Sequence, residues 1–189
     1  KSKIYGAGDP ALTYTYSNEV SGQKPNFSGA LSRDAGENVG TYAIKQNTLA
    51  LADSSTFLAN NYTIAYTGAN LTINAKNAST FTVTLSPTSY TYDGNAKTPT
   101  VTVKDGNTTL TLNTHYTIAY KNNINAGTAT ATITGKGNYT GTKKVNFTIN
   151  KRILTVKADA KSKIYGAGDP ALTYTYSNQV SGQTPKFSG

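Results

Sequence analysis

Residues 161–189 read KSKIYGAGDPALTYTYSNQVSGQTPKFSG, and residues 1–29 read KSKIYGAGDPALTYTYSNEVSGQKPNFSG. The two stretches differ only at Glu19/Gln179, Lys24/Thr184 and Asn26/Lys186. Self-similarity at a long fixed period marks a repeat array, in which each unit closes a core of its own and meets its neighbours. The period here is 160 residues, so the chain reads as one full period and the start of the next.

Weaker echoes divide that period in two. NYTIAYTGANLTIN (Asn61 to Asn74) returns as NYTGTKKVNFTIN (Asn138 to Asn150), NVGTYAI (Asn38 to Ile44) as NAGTATA (Asn125 to Ala131), and Tyr5-Gly6 as Tyr92-Asp93-Gly94. The offsets are unequal, so insertions moved among loops while end strands were kept. We therefore expect three modules. Residues 1–75 form module A, 76–150 form module B, and 151–189 form the N-terminal half of a second A. Near-identical modules are then never adjacent, which limits mispairing during folding. ILTVKADA (153–160) leads directly into the second KSKIYG. The first A module is thus expected to lack its first strand, and with no Met the sequence reads as an internal slice of a longer chain. A neighbouring copy's tail, carrying residues 152–160, would supply that strand and pair chains head to tail.

Local patterning is that of strands. In TFTVTL, Phe81, Val83 and Leu85 alternate with Thr80, Thr82 and Thr84; Val101/Val103, Val145/Phe147/Ile149, Leu12/Tyr14/Tyr16 and Leu71/Ile73 repeat the pattern. Asp93-Gly94 and Asp105-Gly106 are hairpin-turn signals. The 32 Thr and 19 Asn fit pleated surfaces and turns, respectively. Hydrophobic content of 37%, with 14 Tyr and 5 Phe, is enough to bury. The expected class is all-β: tandem small β-sandwich (Ig-like) modules in an elongated rod, with β-grasp-like mixed sheets as the alternative.

Composition also excludes. Without Cys there is no disulfide framework, thiol catalysis or Cys-ligated zinc, and one His (His115) is too few for a histidine-rich metal site. No apolar run approaches the roughly 20 residues of a membrane helix, so no membrane insertion is expected. No nucleophile–base–orienter set is evident, and the expectation is a non-enzyme with no catalytic, cofactor-binding or metal residues.

Four clusters invite chemistry. Asp93-Gly94-Asn95, Asp105-Gly106-Asn107 and Asp34/Glu37 lie in loops and could ligate calcium, but nine acids in 189 residues rarely converge and turn geometry explains Asp-Gly. Lys143, Lys144, Lys151, Arg152, Lys157, Lys161 and Lys163 are opposed locally by Asp159 alone. With two Arg in total and no interleaved aromatics this is not a nucleic-acid reader; the choices are a solvated joint or a contact for anionic glycan or cell-wall polymer. Tyr14/Tyr16, Tyr62/Tyr66 and Tyr116/Tyr120 could form sugar platforms, although their spacing suits cross-strand packing better. Thr128, Thr130, Thr132 and Thr134 form a single hydroxyl ladder, as expected for the solvent side of a strand. The Asn-x-Ser/Thr sequons at Asn26, Asn61, Asn70, Asn77, Asn107, Asn138 and Asn146 are what high Asn and Thr content produces by chance.

KIYGAGDPALTYTYS, LSRDAGENVGTYAI and NNYTIAYTGANLTI together resemble bacterial MBG domains of the YGX type. SYTYDGNAKTPTVTVKDG, HYTIAYKNNINAGTATATITGKGNYTGT and VNFTI resemble the related YDG and Ig-like repeats. The resemblance implies tandem repeats in large bacterial cell-surface adhesins, extracellular and without catalytic or ligand residues. The expected function is a non-catalytic stalk or spacer of a secreted adhesin or fibre, with neighbouring modules of the same chain as partners. The alternative is that the repeats themselves hold host or environmental glycan, or matrix, through many weak contacts.

Overall fold

The computed structural model describes residues 1–188. They form two compact units: residues 1–80 with 111–117 and 134–142, and residues 81–110 with 118–133 and 143–188. Seventeen strands and two single 3-10 turns (Ala59–Asn61 and Ala78–Thr80) make up the regular structure. The protein is all-β with several sheets.

In the first unit β1 (Ser2–Ile4) lies parallel to β6 (Ala69–Asn74), with Lys3 opposite Ile73. β2 (Asn26–Ser28) pairs with β5 (Ala50–Ala52), while β3 (Ser32–Arg33) and β4 (Gly40–Lys45) extend the sheet in the order β1-β6-β4-β3. Alternation puts one face inside, where Ile44, Leu71 and Ile73 are buried beside Leu49 and Phe57. β7 (Lys76–Asn77) begins one residue after β6.

The second unit holds β8 (Thr82–Ser86), β9 (Ser89–Thr91), β10 (Thr100–Asp105) and β11 (Thr108–Thr109). In chain order β12 (Tyr116–Lys121), β13 (Gly127–Gly135), β14 (Tyr139–Thr140, which belongs to the first unit) and β15 (Thr142–Asn150) follow, then β16 (Thr155–Ala158) and β17 (Tyr174–Ser177). One sheet runs β11-β10-β8 and another β12-β13-β15-β9. Leu85 and Val103 are buried on the first, and Ala129, Ala131, Ile133, Phe147 and Ile149 on the second. Each sheet hides one face, as in a small β-sandwich. The rings of Tyr90 and Tyr120 meet Phe147 edge-on at 5.9 and 6.3 Å.

The sheet β1-β6-β4-β3 is mixed, whereas β11-β10-β8 is antiparallel throughout. β9 runs parallel to β15 as β1 does to β6, and the bond from Tyr5 N–H to the Asn74 carbonyl (2.8 Å) recurs from Tyr92 N–H to the Asn150 carbonyl (2.9 Å). The echo of Tyr5 in Tyr92 is therefore one closure used twice, a short strand laid parallel to a later, longer one.

Two local expectations need correction. Asp105-Gly106 turns the β10–β11 hairpin, with Asp105 opposite Thr108. Asp93-Gly94 makes no hairpin, because it joins β9 to β10, which belong to different sheets. The Asp93 carboxylate instead accepts from Asn95 N–H at 2.9 Å, an Asx turn. The alternating segment Leu12-Tyr14-Tyr16 is not a strand in the first copy, whereas its identical counterpart forms β17 against β16. The difference lies in the partner.

Phe147 is 2% exposed with rings on two sides. Phe147→Ala should lower unfolding free energy by about 3–5 kcal/mol, read from urea denaturation.

Candidate functional site

Two arrangements in the first unit stand out: a charged clamp and an open cleft. The clamp is built on the turn after β1. Asp9 is carried there by Tyr5-Gly6-Ala7-Gly8, with Gly6 at φ 81°, in the left-handed region that favours glycine. Its carboxylate takes both Lys3 Nζ (2.6 Å) and Arg33 Nε (2.6 Å). Lys3 Nζ also meets Glu37 Oε2 at 2.5 Å, and Arg33 reaches the other Glu37 oxygen. The guanidinium donates further to the carbonyls of Asp34 (2.9 Å) and Gly36 (2.6 Å) and lies 5.3 Å over the Tyr42 ring. Two cations and two carboxylates are thus cross-bonded, with the Lys3 side chain only 4% exposed. Gly36, at φ 138°, is required here: a Cβ would meet the Tyr42 ring at 2.3 Å.

The hydrogen bonds from Arg33 and then Lys3 hold the Asp9 carboxyl down, at about 2 against an ordinary 3.8. Glu37 is lowered too, chiefly by its bond from Lys3, and Lys3 is raised chiefly by Asp9. In the second copy Lys163 and Asp169 repeat the Lys3–Asp9 pair at 2.5 Å. The clamp fastens the β1 turn to the β3–β4 loop; nothing in it offers a reacting group.

The open cleft, of about 710 Å³, is lined by Thr13–Glu19 and Tyr62–Thr67 together with Phe27, Leu49, Leu51 and Phe57. Tyr14 and Tyr16 lie against Phe27, at 5.1 and 5.3 Å between ring centroids, yet remain 44% and 49% exposed.

The remaining candidates are dispersed. Asp34 pairs with Lys45 and Asp93 with Lys97, and among the described residues no three acids or histidines gather as a metal site would require. Of the basic cluster, Lys143 Nζ donates to the Phe81 carbonyl, Arg152 Nε to the Asn178 carbonyl (2.5 Å), and Lys163 meets Asp169. Tyr62 and Tyr66 donate their hydroxyls to Gln23 Oε1 (2.6 Å) and the Ile44 carbonyl (2.9 Å). Tyr120 donates to the Pro99 carbonyl at 2.9 Å, and Tyr116 is buried. Thr130 bonds Asn146 across the sheet at 2.9 Å, on the face opposite buried Ala129 and Ala131. His115 accepts from Thr111 N–H through Nδ1 (2.8 Å), stapling a turn.

A further set of contacts joins distant parts of the first unit. β7 runs parallel to β14, Asn138 accepts from Val39 N–H through Oδ1 (2.8 Å) and donates from Nδ2 to Asn38 Oδ1 (2.9 Å), and Tyr5 meets Tyr139 edge-on at 5.4 Å.

The turn KIYGAGDP, clamped through Asp9, occurs twice, and so does the family match. The family model of the MBG domain (YGX type) fits residues 1–72 and again 154–188. The chain belongs to this family. MBG domains are typical of large surface proteins. No curated protein and no solved structure matches the chain.

Asp9 and Glu37 have folded values below their unfolded ones, so their contribution is present above the unfolded carboxylate values and fades as pH falls toward 2. Lys3, raised, contributes until pH climbs past its ordinary 10.5. Urea midpoints measured from pH 6 to pH 2 should fall in the acid limb, and Asp9→Asn should start lower and show a shallower fall.

Proposed function

We propose that these MBG domains are non-catalytic spacers of a secreted bacterial cell-surface adhesin or fibre, carrying an adhesive tip outward. The observation that carries this reading is the continuity of strand through short joints. β6 ends at Asn74 and β7 starts at Lys76, and β15 ends at Asn150 with β16 starting at Thr155. Next to the first joint, Lys76 N–H donates to the Asn138 carbonyl at 3.0 Å, and Asn138 ties Asn38 and Val39 to the same turn. Beside the second, Gln183 Nε2 donates to the Tyr92 hydroxyl at 2.6 Å. Gly141 permits the first contact, since a Cβ there would come within 2.8 Å of the Asn77 side chain. Joints of one to four residues, hydrogen-bonded on their flanks, bend less than Gly/Ser linkers. The role is geometric: reach grows with repeat number, and no group is asked to react.

Small-angle scattering of chains with one, two and three periods tests the proposal. The maximum dimension should rise by equal increments per period, and Asn138→Ala should broaden the distance distribution. A dimension that barely grows would contradict the spacer reading. Salt-sensitive binding of a chain with two complete periods to a glycan array would favour adhesion by the repeats themselves.

A further inference from the structure

The first match to the MBG family model ends at residue 72, yet the compact unit around it also takes residues 111–117 and 134–142. Both segments come from residues 76–150, read from the repeat as module B. They are tied to each other: Lys136 N–H donates to the His115 carbonyl at 2.9 Å, and the His115 and Tyr139 rings meet edge-on at 6.0 Å. Together they receive the MBG domain. Tyr139, 6% exposed, takes the Tyr5 ring edge-on at 5.4 Å. Asn138 accepts from Val39 N–H at 2.8 Å and donates to Asn38 at 2.9 Å, while its own carbonyl accepts from Lys76 N–H at 3.0 Å.

The clamp accounts for how the MBG domain offers this edge. Tyr5 lies two residues after Lys3, and Asn38 directly follows Glu37. The 2.5 Å bond between Lys3 and Glu37 therefore holds the signature turn and the β3–β4 loop side by side, as module B receives them. The next joint uses the same residue of the turn. Tyr92, whose N–H closes on the Asn150 carbonyl as that of Tyr5 does on Asn74, accepts from Gln183 Nε2 at 2.6 Å. A Cβ on neighbouring Gly94 would come within 3.2 Å of the Val180 side chain. At both joints the tyrosine that opens the turn touches the module that follows. We propose that residues 111–117 and 134–142 are a docking platform whose partner is the preceding MBG domain, received through Tyr5 and Asn38–Val39, so that the two modules stabilise each other. Modules of this size without disulfides are modestly stable alone, and nearest-neighbour contacts supply the remainder in repeat arrays. The docking goes beyond the spacer reading and holds equally for repeats that bind glycan.

Hydrogen exchange on the full chain, read at a distance from each substitution, tests the docking. Tyr5→Leu keeps an apolar side chain at a half-buried position and is expected to fold, which circular dichroism checks. The amides of Gly135 and Lys136, bonded to the Gly141 and His115 carbonyls, should then exchange about two- to tenfold faster, measured relative to the Leu110 amide in the second unit. Tyr139→Leu should speed the amides of Tyr5 and Asp34 in the MBG domain by a similar factor, because coupling between two sites is reciprocal. The double variant should show little beyond the larger single effect, as residues acting through one contact do. Should Tyr139→Leu fail to fold, Asn138→Ala takes its place, read at the same Asp34 amide. Gly135 and Lys136 amides unmoved by Tyr5→Leu, or fully additive effects in the double variant, would overturn the docking. The spacer reading, which rests on how length grows with repeat number, would be left standing.

Discussion

A β-strand exists only where another backbone supplies its ladder, and this constraint governs the molecule. KSKIYGAGDPALTYTYS occurs twice with no substitution, yet its last four residues are a strand at 174–177 and irregular at 14–17. Propensity, alternation and aromatic packing are the same in both places. Only the neighbour differs. The same logic closes two of the sheets: Lys3 and Tyr90 sit on short strands that would not persist alone, and each is held by a longer parallel strand through registers Lys3–Ile73 and Tyr90–Ile149.

Side chains then decide how firmly each closure is kept. Lys3 lies at the register position opposite Ile73, where its stem is buried and its ammonium emerges between Asp9 and Glu37. Burying one such charge alone would be costly; cross-bonding two cations with two carboxylates removes most of that cost. Because its two carboxylates, Asp9 and Glu37, sit in solvent-facing loops, the clamp fixes loop geometry more than it adds stability. An MBG module of this size, without disulfides, buries a modest fraction of its surface, so contacts at the joints matter.

Much of this was legible in the sequence. The repeat, the all-β class and the inward faces Phe81/Leu85 and Phe147/Ile149 followed from period and alternation, and Asp105-Gly106 from turn chemistry. The clamp was not. Asp34 and Glu37 read as candidate calcium ligands because acids in loops look alike; their partners Lys45, Arg33 and Lys3 are set by a fold that spacing does not encode. The signal available was that Arg33, one of two arginines, stands four residues before Glu37. The parallel pairing of β1 with β6 and of β9 with β15 was equally hidden, since alternation reports faces and not neighbours. Tyr62, Tyr66 and Tyr120 were readable as packing residues, while Tyr14 and Tyr16 needed the cleft to be seen.

Residue-resolved hydrogen exchange, on a chain dilute enough to be monomeric, tests the governing constraint most directly. The amides of Thr175 to Ser177 should include protected ones, while those of Thr15 to Ser17, with the same sequence around them, should exchange at rates near those of an unstructured chain. Equal protection in the two copies would contradict the account, because strand formation would then follow from the sequence itself and not from the partner beside it.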